Sequence, residues 1–213
     1  MSRRRTGIAS TPSVLLSYAC KGEGETSPGF KAFASLQEVA VPAGSDGTRS
    51  GNILVEGDNL PALESLLRRP ELAGHVRLVY IDPPFASGQE FRSGAKRSST
   101  VSASSDDPVA YQDHLQGAEF LEFLRRRLIP LREILAEDGS IYLHIDAKMG
   151  HYVKVLMDEV FGREQFINDI TRIKCNPKNF SRRGYGNVKD MILFYSKSKR
   201  FLWNEPRVGL SQG

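Results

Sequence analysis

Cysteine is nearly missing from this chain: Cys20, in a poorly patterned leader, and Cys175, in a basic segment, are the two in 213 residues. Two such positions support neither a disulfide framework nor a thiolate metal cluster, so no metal is expected and a reducing cytoplasm is the matching compartment. Long apolar runs are missing as well. None approaches the eighteen or so residues that a membrane helix needs, and no membrane association is expected. Arg3-Arg4-Arg5 with Val14-Leu15-Leu16 and Cys20 faintly resembles a lipoprotein signal, but Thr11, Pro12 and Ser13 break the apolar stretch that such a signal requires. There is no Gly-Lys-Ser or Gly-Lys-Thr phosphate loop, which excludes the common nucleotide hydrolases, and no Gly-x-Gly-x-x-Gly or Phe-x-Gly-x-Gly segment.

What is present suffices for one α/β domain: 213 residues, 40% of them hydrophobic, with a net charge of +4 that mildly favours polyanions. Residues 1–50 are rich in Gly, Ser and Pro without a sustained period and read as a flexible lead-in; residues 51–213 carry the domain. Within it, residues 52–55 predict a strand, and Leu60, Leu63, Leu66 and Leu67 recur at helical spacing. A second strand from Val76 to Ile81 must end at Asp82-Pro83-Pro84, because proline has no amide hydrogen with which to continue a central ladder. Residues 86–113, with Ser98-Ser99-Thr100 and further serines, read as a flexible loop. Leu121, Leu124, Leu128, Leu131 and Leu135 mark the longest helix, which Pro130 should kink or restart and Gly139 should stop. Residues 141–145 predict a strand, 147–161 a helix, and 166–173 with 191–195 two strands around a basic loop.

Strands alternating with helices imply a mostly parallel, doubly wound sheet of Rossmann-like order. In such sheets ligands sit beyond the carboxyl ends of the strands, which directs attention to Asp58, Asp82 and Asp146. Asp146 reads as a helix cap, His144 as a hydrogen-bonded structural group on a sheet face, and Arg125-Arg126-Arg127 as a solvated helix face.

Leu78-Val79-Tyr80-Ile81-Asp82-Pro83-Pro84-Phe85 resembles motif four of the DNA adenine methyltransferases, the Asp-Pro-Pro-Tyr/Phe loop that follows a strand of their class I methyltransferase fold. The residue types suit that chemistry. The lone pair of an exocyclic amine is delocalised into its ring, and attack on a methyl sulfonium needs acceptors that localise it. The Asp82 carboxylate and the Pro83 carbonyl can both accept from the amino group, Pro83 and Pro84 fix the backbone, and Phe85 offers a flat face for an extruded base. Upstream, Leu54-Val55-Glu56-Gly57-Asp58-Asn59-Leu60 resembles the family segment whose acid contacts the adenine of S-adenosyl-L-methionine, which makes Asp58 the cofactor candidate; capping the next helix is the other use of an acid at such a turn. The segment Cys175-Asn176-Pro177-Lys178-Asn179-Phe180-Ser181-Arg182-Arg183-Gly184-Tyr185-Gly186 is basic, lacks acids and is interleaved with aromatics. By composition it is a solvated loop or a phosphate-contacting one; the resemblance favours the second, with Lys178, Arg182 and Arg183 facing DNA.

The match runs from about Asn52 to Trp203 and is most similar to the circularly permuted β-class enzymes, including the modification subunits of type III restriction systems. It implies site-specific transfer of a methyl group from S-adenosyl-L-methionine to the N6 amine of adenine in double-stranded DNA, within a restriction-modification system, with a restriction subunit or self-association as the protein partner. The family's Phe-x-Gly-x-Gly segment, which cradles the methionine part of the cofactor, has no counterpart here, so the expected fold is partial and the chain is expected to be a truncated form of a longer enzyme. A cytosine-N4 methyltransferase more often has Ser at the position of Asp82, and a glutamine methyltransferase Asn. A catalytically incomplete DNA-binding or assembly subunit is the alternative outside enzymes.

Overall fold

A computed structural model of the chain describes residues 15–22, 54–83, 90–92, 109–112, 115, 117–174, 183 and 188–205. β-Branched and apolar residues form β1 (Val76–Ile81), which ends one residue before Asp82-Pro83, as the missing proline amide requires. The main sheet adds β4 (Leu135–Asp146), β5 (Phe166–Ile173) and β6 (Lys189–Ser196) in the spatial order β1-β4-β6-β5. β4 lies parallel to β1, while β6 runs antiparallel to both β4 and β5. Three strands therefore share one direction and β6, placed between two of them, is reversed, so the sheet is mixed, with one parallel and two antiparallel pairings, in an α/β fold.

Alternation along β4 and β6 sorts the side chains onto two faces. Ile141, Leu143 and Ile145 of β4, with Met191, Leu193 and Tyr195 of β6, enter a buried core. Opposite them sit α2 (Gly117–Ile134), through Phe120, Leu121, Leu124, Leu128 and Leu131, and α3 (Gly150–Phe161), through Val153, Leu156, Met157 and Val160. The shorter α1 (Asn59–Leu66) lies beside α2 and adds Leu63 to this side. On the other face Tyr142 stacks on Phe194 with ring centres 4.4 Å apart, and Trp203 lies 6.0 Å from Phe194. Leu78 and Tyr80 of β1 stay 61% and 58% exposed on it.

Several expectations change. Residues 54–56 form no strand, and Leu54 is exposed, because no described strand lies alongside to pair with them; Asn52 and Ile53 lie outside the described residues. The stretch read as a flexible loop contains two short strands, β2 (Glu90–Arg92) and β3 (Val109–Gln112), which pair antiparallel. Helix α2 passes through Pro130 and ends at Ile134, well before Gly139. Its terminal Ile134 carbonyl accepts from the Gly74 amide at 3.1 Å, so a tertiary contact replaces the glycine cap. Gly139 serves a different purpose: a Cβ there would lie 2.9 Å from the Val76 carbonyl oxygen, where the β1–β4 register shifts.

The arginine run is not a solvated face. Arg125 is buried and donates twice to Glu122 of its own helix, at 2.9 Å each; Arg127 covers the Phe123 ring at 3.5 Å; only Arg126 is exposed. Burial opposes ionisation of Glu122, but the bonds from Arg125 and Tyr18 outweigh it and hold its carboxyl below the usual range. Tyr18 belongs to the stretch read as lead-in. Its hydroxyl reaches Glu122 at 3.0 Å, Lys21 pairs with Glu159 at 2.7 Å, and Leu16 packs against the core, so residues 15–22 are fastened across α2 and α3. The rest of residues 1–50 lies outside the described residues.

Candidate active site

Asp82 is the first residue beyond β1, at the carboxyl end of a parallel strand, and its side chain is 55% exposed. Pro83 follows it, partly buried. Pro84 and Phe85 lie outside the described residues. Register places Ile81 beside Leu143, so the next residue of each strand, Asp82 and His144, meet on the face opposite the core. His144 Nδ1 lies 3.2 Å from Asp82 Oδ1, and its Nε2 lies 3.3 Å from Asp190 Oδ2. Asp190 comes from the start of β6, which the strand's reversal brings to the same rim. Its carboxylate is buried, with Arg172 Nη1 at 3.0 Å and Lys174 Nζ at 2.5 Å. Burial alone would favour the neutral acid; Lys174, His144 and Arg172 around it prevail and hold the Asp190 carboxyl below the usual carboxylate range, with Arg172 donating a hydrogen bond at 3.0 Å. The rim therefore carries an exposed carboxylate, an imidazole behind it, and behind that a buried carboxylate flanked by two cations.

Asp58 stands in a separate cluster. Its Oδ1 caps α1 by accepting from the Leu60 amide at 3.0 Å and pairs with Arg127 Nη2 at 2.9 Å. The capping use of this acid is thus present, and both of these contacts take the same oxygen of a side chain that is 63% exposed. Asp146 also caps: its Oδ1 accepts from the Lys148 and Met149 amides at 3.1 and 3.2 Å, just before α3. Arg183 is exposed, while Lys178 and Arg182 lie outside the described residues.

The sequence reading missed Asp190, Arg172 and Lys174, and placed His144 without its partners. A period-two signal was present: His144 with Asp146, and Arg172 with Lys174, alternate along strands, and Asp190 opens an otherwise apolar run. Only the strand order shows that these belong together. Among the described residues no group of three or more His, Cys, Asp or Glu is arranged to hold a metal, and no helix is long and apolar enough to cross a membrane.

Known proteins add an independent line. The chain is 44% identical over 155 residues to the type II methyltransferase M.EcaI of Enterobacter cloacae, covering 73% of this chain and 31% of that protein. It is 32% identical over 166 residues to the probable type III restriction-modification enzyme HindVI Mod subunit of Haemophilus influenzae, covering 76% of this chain and 20% of that one. Among solved structures, the PvuII DNA methyltransferase (cytosine-N4-specific) aligns with 68% of this chain and 48% of its own, at 17% identity and a TM-score of 0.44. The chain thus spans a third or less of the length of these two curated relatives. Residues 76–212, which hold Asp82, His144 and Asp190, match the N6/N4 DNA methylase family, and the chain belongs to that family.

Proposed function

We propose that this chain forms the catalytic part of a DNA methyltransferase that places a methyl group on the N6 amine of adenine in double-stranded DNA, in the cytoplasm and within a restriction-modification system. The observation that carries the reading is Asp82: an exposed carboxylate at the carboxyl end of a parallel strand, followed by proline, in a member of the DNA methylase family. Resemblance to type III modification subunits points to a restriction subunit as the protein partner.

The geometry suits an amine acceptor. With the base extruded, an Asp82 oxygen accepts one N6 hydrogen and the Pro83 carbonyl the other, which draws the nitrogen lone pair out of the ring and aims it. Phe85 stacks on the base, and Lys178, Arg182 and Arg183 contact phosphates. S-adenosyl-L-methionine supplies an electrophilic methyl group when bound. Asp58 fits its adenosine side, with one carboxylate oxygen left over from the contacts to Leu60 and Arg127. No Phe-x-Gly-x-Gly segment is present to hold the methionine side. An amine that gains a methyl group must give up one proton, and the Asp82 carboxylate would be placed to receive it.

Asp82→Ala in a methylation-competent preparation should lower transfer of labelled methyl to duplex DNA by about a thousandfold, the scale of losing an oriented acceptor. Nucleoside analysis of the product should give N6-methyladenine. Undiminished transfer by the variant overturns the role of Asp82, and N4-methylcytosine in the product overturns the choice of adenine.

A further inference from the structure

The rim holds more than the corner at Asp82-Pro83. A carboxylate that is more than half exposed, at the end of a strand, has free rotation about its side chain, and an acceptor that rotates cannot localise a lone pair well. Here one of its two oxygens is engaged. His144 comes up from the neighbouring strand, its Nδ1 3.2 Å from Asp82 Oδ1, with its side chain 9% exposed. Its other nitrogen lies 3.3 Å from an oxygen of buried Asp190. Asp190 sits between Arg172, Lys174 and His144, drawn from β5, from the residue after it, and from β4. Such a chain of contacts has a direction: it is rigid and buried at Asp190 and opens to solvent at Asp82.

We propose that His144 is a positioning residue for methyl transfer, holding Oδ1 of Asp82 through Nδ1 while Asp190 anchors Nε2, so that Oδ2 of Asp82 is the oxygen presented to the substrate amine. This rests on the reading of Asp82 given above. Each ring nitrogen faces a carboxylate, and an imidazole protonated on both nitrogens donates to both. Arg172 and Lys174 lie against Asp190 and balance its charge. In this role His144 acts on the reaction through Asp82.

Two measurements test this. In the 213-residue chain, long-range proton–nitrogen correlation of the histidine rings should show His144 Nδ1 moving in Asp82→Asn and Nε2 moving in Asp190→Asn, with His75 and His151 unchanged. An Nδ1 signal indifferent to Asp82→Asn overturns the proposal whether or not the chain is active. In a methylation-competent preparation, His144→Ala should lower kcat by about 10- to 100-fold with KM for DNA within about twofold, the signature of lost orientation. His144→Asn, whose amide keeps an N–H near the position of Nδ1, should recover most of that loss. If His144→Ala retains full kcat in an enzyme that Asp82→Ala inactivates, the positioning role fails and the role of Asp82 stands; if Asp82→Ala is itself active, the underlying reading fails first.

Discussion

Tyr195 carries its hydroxyl into the core, where it donates to Asp158 Oδ1 at 2.7 Å, and Lys154 supports the same carboxylate at 2.7 Å. Burial, and then the Asp158 carboxylate, push its phenol far above the ordinary range. The unfolded phenol ionises near pH 10 and the folded one does not, so the folded state binds the proton more tightly. The stability this group contributes is complete below about pH 10 and falls as the pH rises beyond it. Urea unfolding at stepped alkaline pH should show that decline, flattened in Tyr195→Phe, which at neutral pH should cost about 1–3 kcal/mol for the lost bond to a charged acceptor. An unaltered alkaline slope in the variant would remove Tyr195 as its source. At this scale the sequence was uneven. Asp82 was legible because a proline corner after an apolar strand declares its own geometry. Asp190 was not, because nothing local says that a charged residue opening an apolar strand will face an imidazole on another.

Among the elements, β1 and β5 were legible to the residue: β1 is a mostly apolar run stopped by Asp82-Pro83, and β5, though largely exposed, carries isoleucine at 167, 170 and 173 and a threonine at 171. The end of α2 was misplaced because glycine was read as a cap, when its value was close approach between strands. That difference is measurable. Gly139→Ala would set a methyl group 2.9 Å from a backbone carbonyl oxygen and 3.0 Å from a second, and neither can swing aside. A cost of about 1–3 kcal/mol is expected, typical of overpacking. Gly150→Ala meets Met191 Sδ at 2.6 Å, and a methionine side chain can turn away. The melting temperature should therefore fall further for Gly139→Ala than for Gly150→Ala; the reverse order would mean that β1 and β4 can spread. A pairing partner decides whether a strand forms at all. Residues 54–55 have the right composition and no described neighbour, which is why composition misled there.

Across the whole molecule, a segment distant in sequence closes over the helical side. Lys21 pairs with Glu159, which is almost fully buried, and Leu16 donates its amide to the same carboxylate at 3.3 Å. Lys21→Ala leaves that acid without its cation and should destabilise the chain by about 1–3 kcal/mol, or roughly 2–4 °C of melting temperature for each kcal/mol. An unchanged denaturation midpoint would show that the segment contributes nothing to global stability. Composition hid this contact, because a few anchoring side chains among glycines and serines do not form a periodic pattern. The reversal of β6 carries one more consequence. Ile173 and Lys189 are register partners, and the Lys174 amide donates to the Val188 carbonyl at 2.7 Å, so β5 and β6 are pinned together at the rim that carries Asp190. The same pairing sets Arg172 opposite Asp190, so the alignment of these two strands decides which cations the buried acid meets.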